Sequence, residues 1–178
     1  MKITIVDGSL NYAAKVVKIE RLYPIEGKDR IVRTTINGND VIISKESKIG
    51  DICLYFCAGT RLSVDYCKFN NLYDECQLNY DQSKKGYISH KRRVRAMRMA
   101  GIISDGMLMP LSSLTMILGI EPDGRLGIGD EFTHIDNVLI CDKYSVPVRN
   151  SNPGGSEPKV KKFKLKDIMI PGQFRFHH

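Results

Sequence analysis

Seven basic side chains, Lys84, Lys85, Lys91, Arg92, Arg93, Arg95 and Arg98, follow one another with no acidic residue between Asp81 and Asp105. Their charge equals the excess of the whole chain, +7, from 27 Lys and Arg against 20 Asp and Glu. Cations packed this closely along a chain suit capture of a phosphodiester backbone. Tyr87, beside Lys84 and Lys85, adds a ring on which a base can stack, and Tyr80 is a weaker candidate for that role. The plainer account of such a stripe is a solvated face that stops a sheet edge from pairing. The lack of interleaved acids favours phosphate binding.

No comparable constellation supports catalysis. His90 and His134 have no cysteine or carboxylate arrangement nearby that spells a nucleophile or a metal site, so each is expected to be a surface or hydrogen-bonded histidine. The sequence has no G-x-x-x-x-G-K-[ST] and no G-x-G-x-x-G opening a helix. The five cysteines, Cys53, Cys57, Cys67, Cys76 and Cys141, include no C-x-x-C pair. Cys53 and Cys57 lie four apart in an apolar run, which puts both on one face of a strand as core thiols. The chain is expected to supply no catalytic residue and no metal ligand.

These residues need a scaffold, and composition bounds it. A chain of 178 residues, 42% hydrophobic and 26% charged, can bury one core. A pI near 9.2 suits nucleic acid, an anionic membrane surface or an acidic protein. No apolar run is long enough to span a membrane, and the first residues lack the apolar region of a signal peptide, so a cytoplasmic protein with no membrane partner is expected.

Lys15 to Tyr23 reads as a strand stopped by Pro24, and Arg30 to Ile36 as a second. Asn37-Gly38-Asn39 is a hairpin signal, with the next strand resuming at Val41, so the first three strands are expected to form a meander. Ile52 to Cys57, between glycines 50 and 59, reads as a strand covered on both faces. Ser63 to Asp81 shows no clean period and is expected to be an irregular excursion with a turn of helix. The basic stretch is expected to be a central strand with a bulge where Val94 and Ala96 give way to the opposite phase of Met97 and Met99. Ser104-Asp105-Gly106 reads as the turn to a further strand ending at Pro110, and Ser112 to Gly119 as a serine-capped helix. Gly127-Ile128-Gly129-Asp130 echoes Lys48-Ile49-Gly50-Asp51, two turns that each introduce a strand.

The pattern fits a mainly all-β fold, an OB-type Greek-key barrel of five to six strands with one short helix, spanning residues 1–145. Residues 146–178 change character, with four prolines, Gly154-Gly155 and Lys159, Lys161, Lys162, Lys164 and Lys166, and read as an extended basic linker.

YPIEGKDRI (23–31), GDICLYFCAGTRL (50–62), HKRRVRAMRMAGIISDGMLMPLSSL (90–114), GIGDEFT (127–133) and KYSVPV (143–148) together resemble the N-terminal OB domain of a bacterial and bacteriophage family of ATP-dependent RNA ligases. The arginine-rich segment with its S-x-G-[ML]-x-[ML]-P ending is the most specific part. A similar segment occurs in tRNA-binding OB domains, so that piece alone implies only an RNA-binding barrel. The resemblance implies an RNA partner, nicked or broken, a C-terminal nucleotidyltransferase domain, and ATP and Mg as cofactors of the full-length enzyme. The family's nucleophile is the lysine of K-x-[DH]-G, which takes AMP from ATP. No lysine here stands in that motif: Asp105-Gly106 has Ile103 at the lysine position and Asp123-Gly124 has Glu121. The chain is therefore expected to be the accessory domain, ending before the nucleophile, without cofactor or ligase activity of its own. The rival reading is a module whose basic face docks on a protein.

Overall fold

The computed structural model describes residues 1–146. The strands are short and come in chain order as β1 (Ile3–Thr4), β2 (Ala14–Lys18), β3 (Tyr23–Pro24), β4 (Ile31–Ile36), β5 (Asn39–Ser44), β6 (Ile52–Phe56) and β7 (Thr60–Leu62). After helix α1 (Val64–Phe69) come β8 (Met97–Met99), β9 (Ile102–Ser104) and β10 (Met107–Pro110). Helix α2 (Thr115–Leu118) precedes β11 (Glu131–Phe132), β12 (His134–Ile135), β13 (Val138–Leu139) and β14 (Cys141–Lys143). Residues Met1–Ser145 form one compact unit. The linker expected over 146–178 lies, but for Val146, outside the described residues.

The barrel is assembled around β2 and β6, which pair antiparallel from Lys15 opposite Tyr55 to Lys18 opposite Ile52, in a sheet ordered β10-β6-β2-β11. The sheet β3-β4-β5 stands beside it, and the pairs β7–β14 and β8–β9 and the sheet β1-β12-β13 complete the set among the described residues. Asn37 and Gly38, at φ 52° and 83°, form the two-residue turn between β4 and β5, as a tight primed hairpin requires.

β6 is covered on both faces, as its uninterrupted apolar run predicts. Leu54 and Phe56 enter a core with Val16, Leu62, Tyr66 and Phe132, where the Phe56 and Tyr66 rings meet edge to face at 5.2 Å. Tyr55 enters a second core with Val17, Ile19, Val32, Val41 and Ile43, and Cys53 and Cys57 pack against the same side. The spacing of four therefore does put both thiols on one face.

The sequence echo is a structural repeat. In each turn the aspartate carboxylate accepts the N–H of the residue three before it: Lys48 to Asp51 at 2.8 Å, Gly127 to Asp130 at 2.7 Å. Gly50 (φ 99°) then donates to the Ile19 carbonyl and Gly129 (φ 95°) to the Val16 carbonyl, both at 2.8 Å. Ile19 and Val16 donate in return to the carbonyls of Asp51 and Asp130, both at 2.9 Å.

Some expectations need correction. The first strand does not run unbroken to Tyr23: β2 ends at Lys18, and β3 pairs with β4 instead of β6, so one stretch serves two sheets. The meander therefore covers β3, β4 and β5. Ser104-Asp105-Gly106 does lead from one strand, β9, to a further one, β10, but the two do not pair: β10 pairs with β6, and β9 pairs back onto β8 through Ala100 and Gly101, at φ 50° and 77°. Gly106 instead allows close approach, since a Cβ there would lie 2.4 Å from the Phe56 carbonyl oxygen. No serine side chain caps the late helix; Leu111–Leu114 is a 3-10 turn running into α2, and Ser113 is hydrogen-bonded to the buried Tyr66 hydroxyl at 2.7 Å.

The largest correction concerns the basic stretch, which is an arm and not a strand until Met97. Its backbone is divided between two partners. Ile88 donates to Leu72 and accepts from Asp74, making a parallel bridge with Tyr73, and beyond the turn at Ser89–Arg92, Val94 donates to Thr60 while Leu62 donates to Arg92. Arg92 sits at φ 55°, so the chain reverses direction there and cannot continue one ladder. The phase slip before Met97 marks this exchange of partner, from β7 to β9, and not a bulge.

The excursion between α1 and the arm is closed by Asn79, only 3% exposed. Its amide accepts from Tyr73 N–H and donates to the carbonyls of Tyr73 and Lys84, all at 2.9 Å. Asn79→Ala is expected to destabilise the fold by about 2–3 kcal/mol, because the buried Tyr73 N–H loses its partner and the carbonyls of Tyr73 and Lys84 each lose a hydrogen bond. Urea unfolding checks this, with hydrogen exchange rising over residues 72–88. Burial also pushes the Cys67 and Cys141 thiols up to about 12 from the ordinary 9.0. Above pH 9 the unfolded chain releases these protons and the folded chain keeps them, so stability should fall by about 1.4 kcal/mol per pH unit for each group. Urea midpoints between pH 8 and 11 should decline, and less steeply in Cys141→Ala.

Candidate nucleic-acid interface

The arm is held by backbone bonds and two apolar anchors, Ile88 and Val94, both nearly inaccessible at 4% and 2%. Anchoring by the main chain frees the side chains, and Lys84, Lys85, Lys91, Arg93, Arg95 and Arg98 are exposed. Among the described residues only Lys84 of these six has a carboxylate within ion-pair distance, Asp81 at 3.6 Å. The other five thus make no direct ion pair among the described residues. Arg92 differs: half-buried at the turn, it donates from Nη1 to the Leu62 carbonyl at 2.9 Å and ties the arm to β7.

The cations do not share one site. Tyr87, Arg93 and Arg95 line a cleft of about 1150 Å³ between the arm, the β4–β5 hairpin and β10. Its lining is mainly apolar, including Ile42, Ile43, Met97, Met99, Met107 and Leu108, and its cations Arg30, Arg93 and Arg95 are matched in number by Glu46, Asp51 and Asp74. The Tyr87 hydroxyl points to Met107 Sδ at 3.8 Å, with over half of the residue exposed. Arg98, on the β8–β9 hairpin, lines a separate depression of about 590 Å³ with Asn39, Asp40 and Ile103. Lys84, Lys85 and Lys91 line neither.

Residues not singled out from the sequence complete the surface. Arg30 enters the cleft from the start of β4. On the far side of the arm Arg61 of β7 stands directly opposite Arg93, and Asp142 of β14 stands opposite Arg61 in turn. Arg61 binds the Asp142 carboxylate through Nε at 2.8 Å and through Nη2. That pairing holds the Arg61 guanidinium proton still more firmly than usual. Arg93 lies over the Tyr144 ring, 5.0 Å from its centroid, and Lys143 over Tyr12 at 5.6 Å. The only sequence trace of this patch is Lys143-Tyr144 after an alternating strand.

The two histidines behave as expected from their surroundings. His90 Nδ1 lies 3.4 Å from Glu75 at the surface, and His134 Nδ1 lies 3.0 Å from the Thr133 hydroxyl. Among the described residues no group of three or more His, Cys, Asp or Glu is placed to hold a metal ion, and no helix is long and apolar enough to cross a membrane.

No curated protein matches the sequence. Several solved structures of an RNA ligase from Naegleria gruberi share the fold. The form with PPi is 23% identical with a TM-score of 0.52, over 77% of this chain and 36% of the ligase. A mutant with ATP and Mn is 22% identical with a TM-score of 0.52, over 75% of this chain and 35% of the ligase. This chain thus corresponds to about a third of that enzyme, and at such identity the likeness is one of fold. A family model described as an OB-fold domain matches residues 13–111, more than half of the sequence, from the start of β2 through the arm to the end of β10. With the barrel built on β2 and β6, that match makes the chain a member of this OB-fold domain family.

Proposed function

We propose that this chain is an RNA-binding accessory domain of an ATP-dependent RNA ligase, holding nicked or broken RNA for a nucleotidyltransferase domain. One observation carries the reading: Lys85, Lys91, Arg93 and Arg95 project from a backbone-anchored arm, and Arg98 from the hairpin that follows it, with no carboxylate in ion-pair contact among the described residues. Side chains of that kind neutralise phosphates and release counterions. Lys84 and Tyr87 stand at the edge of the same surface, and Arg92 serves by fixing the arm. The fold shared with an RNA ligase supports the connection without adding a substrate. ATP and Mg would belong to the nucleotidyltransferase domain, since this sequence has no K-x-[DH]-G lysine, so no step of adenyl transfer is assigned to these residues. The setting would be a bacterial or phage-infected cytoplasm.

A second reading follows from the cleft. Its apolar lining and balanced charges suit a protein surface better than a phosphodiester chain. In this reading the arm frames a docking groove, with the catalytic domain as the natural occupant.

Fluorescence anisotropy of a labelled nicked RNA duplex at several salt concentrations separates the two. Several phosphate contacts predict a log–log salt slope of about −3 or steeper, flattened by about two in the double variant Arg93→Ala/Arg95→Ala. Absence of binding at low salt would reject the RNA reading and leave the docking groove. The chain alone should neither ligate RNA nor become adenylated when incubated with ATP and Mg.

A further inference from the structure

We propose that Tyr144, with Arg93 stacked on it, seats one unpaired nucleobase of the RNA on the outer face of β7 and β14. The inference rests on the RNA-binding reading above and adds the class of nucleotide recognised, one outside a duplex stack.

The argument begins with a like-charge pair. Arg61 and Arg93 occupy directly opposed positions of an antiparallel bridge, an arrangement that disfavours the folded state unless each cation finds a partner. Asp142, opposite Arg61 on the other side, satisfies Arg61 through two guanidinium nitrogens. Nothing among the described residues does the same for Arg93. Its guanidinium rests on the Tyr144 ring, which attracts the cation but leaves its charge uncancelled. The patch therefore holds a positioned, uncompensated cation beside an aromatic face.

The ring is positioned as firmly as the cation. Tyr144 N–H donates to the Gly59 carbonyl at 3.0 Å, continuing the β7–β14 pairing beyond Lys143. Gly59 N–H in turn donates to Val94 of the arm at 2.9 Å, so ring and guanidinium are braced by the same glycine. The neighbouring Lys143, whose side chain leaves the opposite face of the strand, is exposed and lies over Tyr12. Nucleobases stack on rings and on guanidinium planes alike, while the flanking phosphate needs a cation. A base within a duplex has both faces covered by its neighbours. Only an unpaired one, as at a break or an overhang, can use this seat.

The test uses single-stranded RNA with one 2-aminopurine, a matching oligonucleotide in which that position is abasic, and a fully paired duplex. The native chain should quench 2-aminopurine in the single strand and leave the duplex signal unchanged. Tyr144→Ala should weaken binding of the base-bearing strand about tenfold with the salt slope unchanged, bind the abasic strand as the native chain does, and be rescued by Tyr144→Phe. Equal weakening on the abasic strand, or no quenching by the native chain, overturns the seat while RNA binding stands. A native chain that binds none of the three overturns the RNA reading itself.

Discussion

Strand β2 is gripped from both edges by the same hydrogen-bonded device, and the barrel depends on that grip. A glycine at positive φ turns the chain so that its N–H meets a carbonyl of β2, and the following aspartate both returns a carbonyl and braces the turn with its carboxylate. The two turns satisfy backbone groups on opposite edges, at Val16 within β2 and at Ile19 just beyond its end. β2 thereby acquires partners along its length although β11 is only two residues long. Because Val16 feeds one core and Val17 and Ile19 the other, fixing β2 registers both hydrophobic clusters at once.

The arm uses the opposite economy. It has little regular structure, yet its course is set by backbone bonds to Leu72, Tyr73, Thr60 and Leu62 and by two buried aliphatic side chains. A chain segment held in this way can carry many like charges, because their repulsion is met in water and not in a packed interior. At exposed sites two cations about 4 Å apart in water repel by only ~1 kcal/mol, a cost that one well-packed valine offsets. Charge density and fixed position are thus compatible here, which a flexible tail could not achieve.

Much of the barrel was legible in sequence because its signals are local. Asn37-Gly38 dictates a primed turn, the run from Ile52 to Phe56 dictates a doubly buried strand, and the repeat of Ile-Gly-Asp foretold two equivalent turns. The failures share a cause, which is competition between partners far apart in the chain. Ala100-Gly101 is a weak turn signal that prevails because β10 is claimed by β6. Arg92 reverses the chain because the segments on either side of it are claimed by Tyr73 and by β7. The same limit applies to the interface. The charge run named Lys84, Lys85, Tyr87, Lys91, Arg92, Arg93, Arg95 and Arg98 by composition, but nothing local distinguishes Arg92, spent on a carbonyl, from Arg93 beside it. Arg30, Arg61 and Tyr144 join the surface from three other segments, and the apolar cleft exists only where distant strands converge.

The excursion that follows α1 is closed where Tyr73 pairs with Ile88, and Asn79 bonds the backbone of its interior. Its tip at Gln82-Ser83 faces solvent. For such a closed loop, doubling the contour adds only about 0.6 kcal/mol of closure entropy. The barrel can therefore accept inserted sequence at that tip, a peptide epitope or a small folded reporter, with β2, β6 and the cationic arm left as they are.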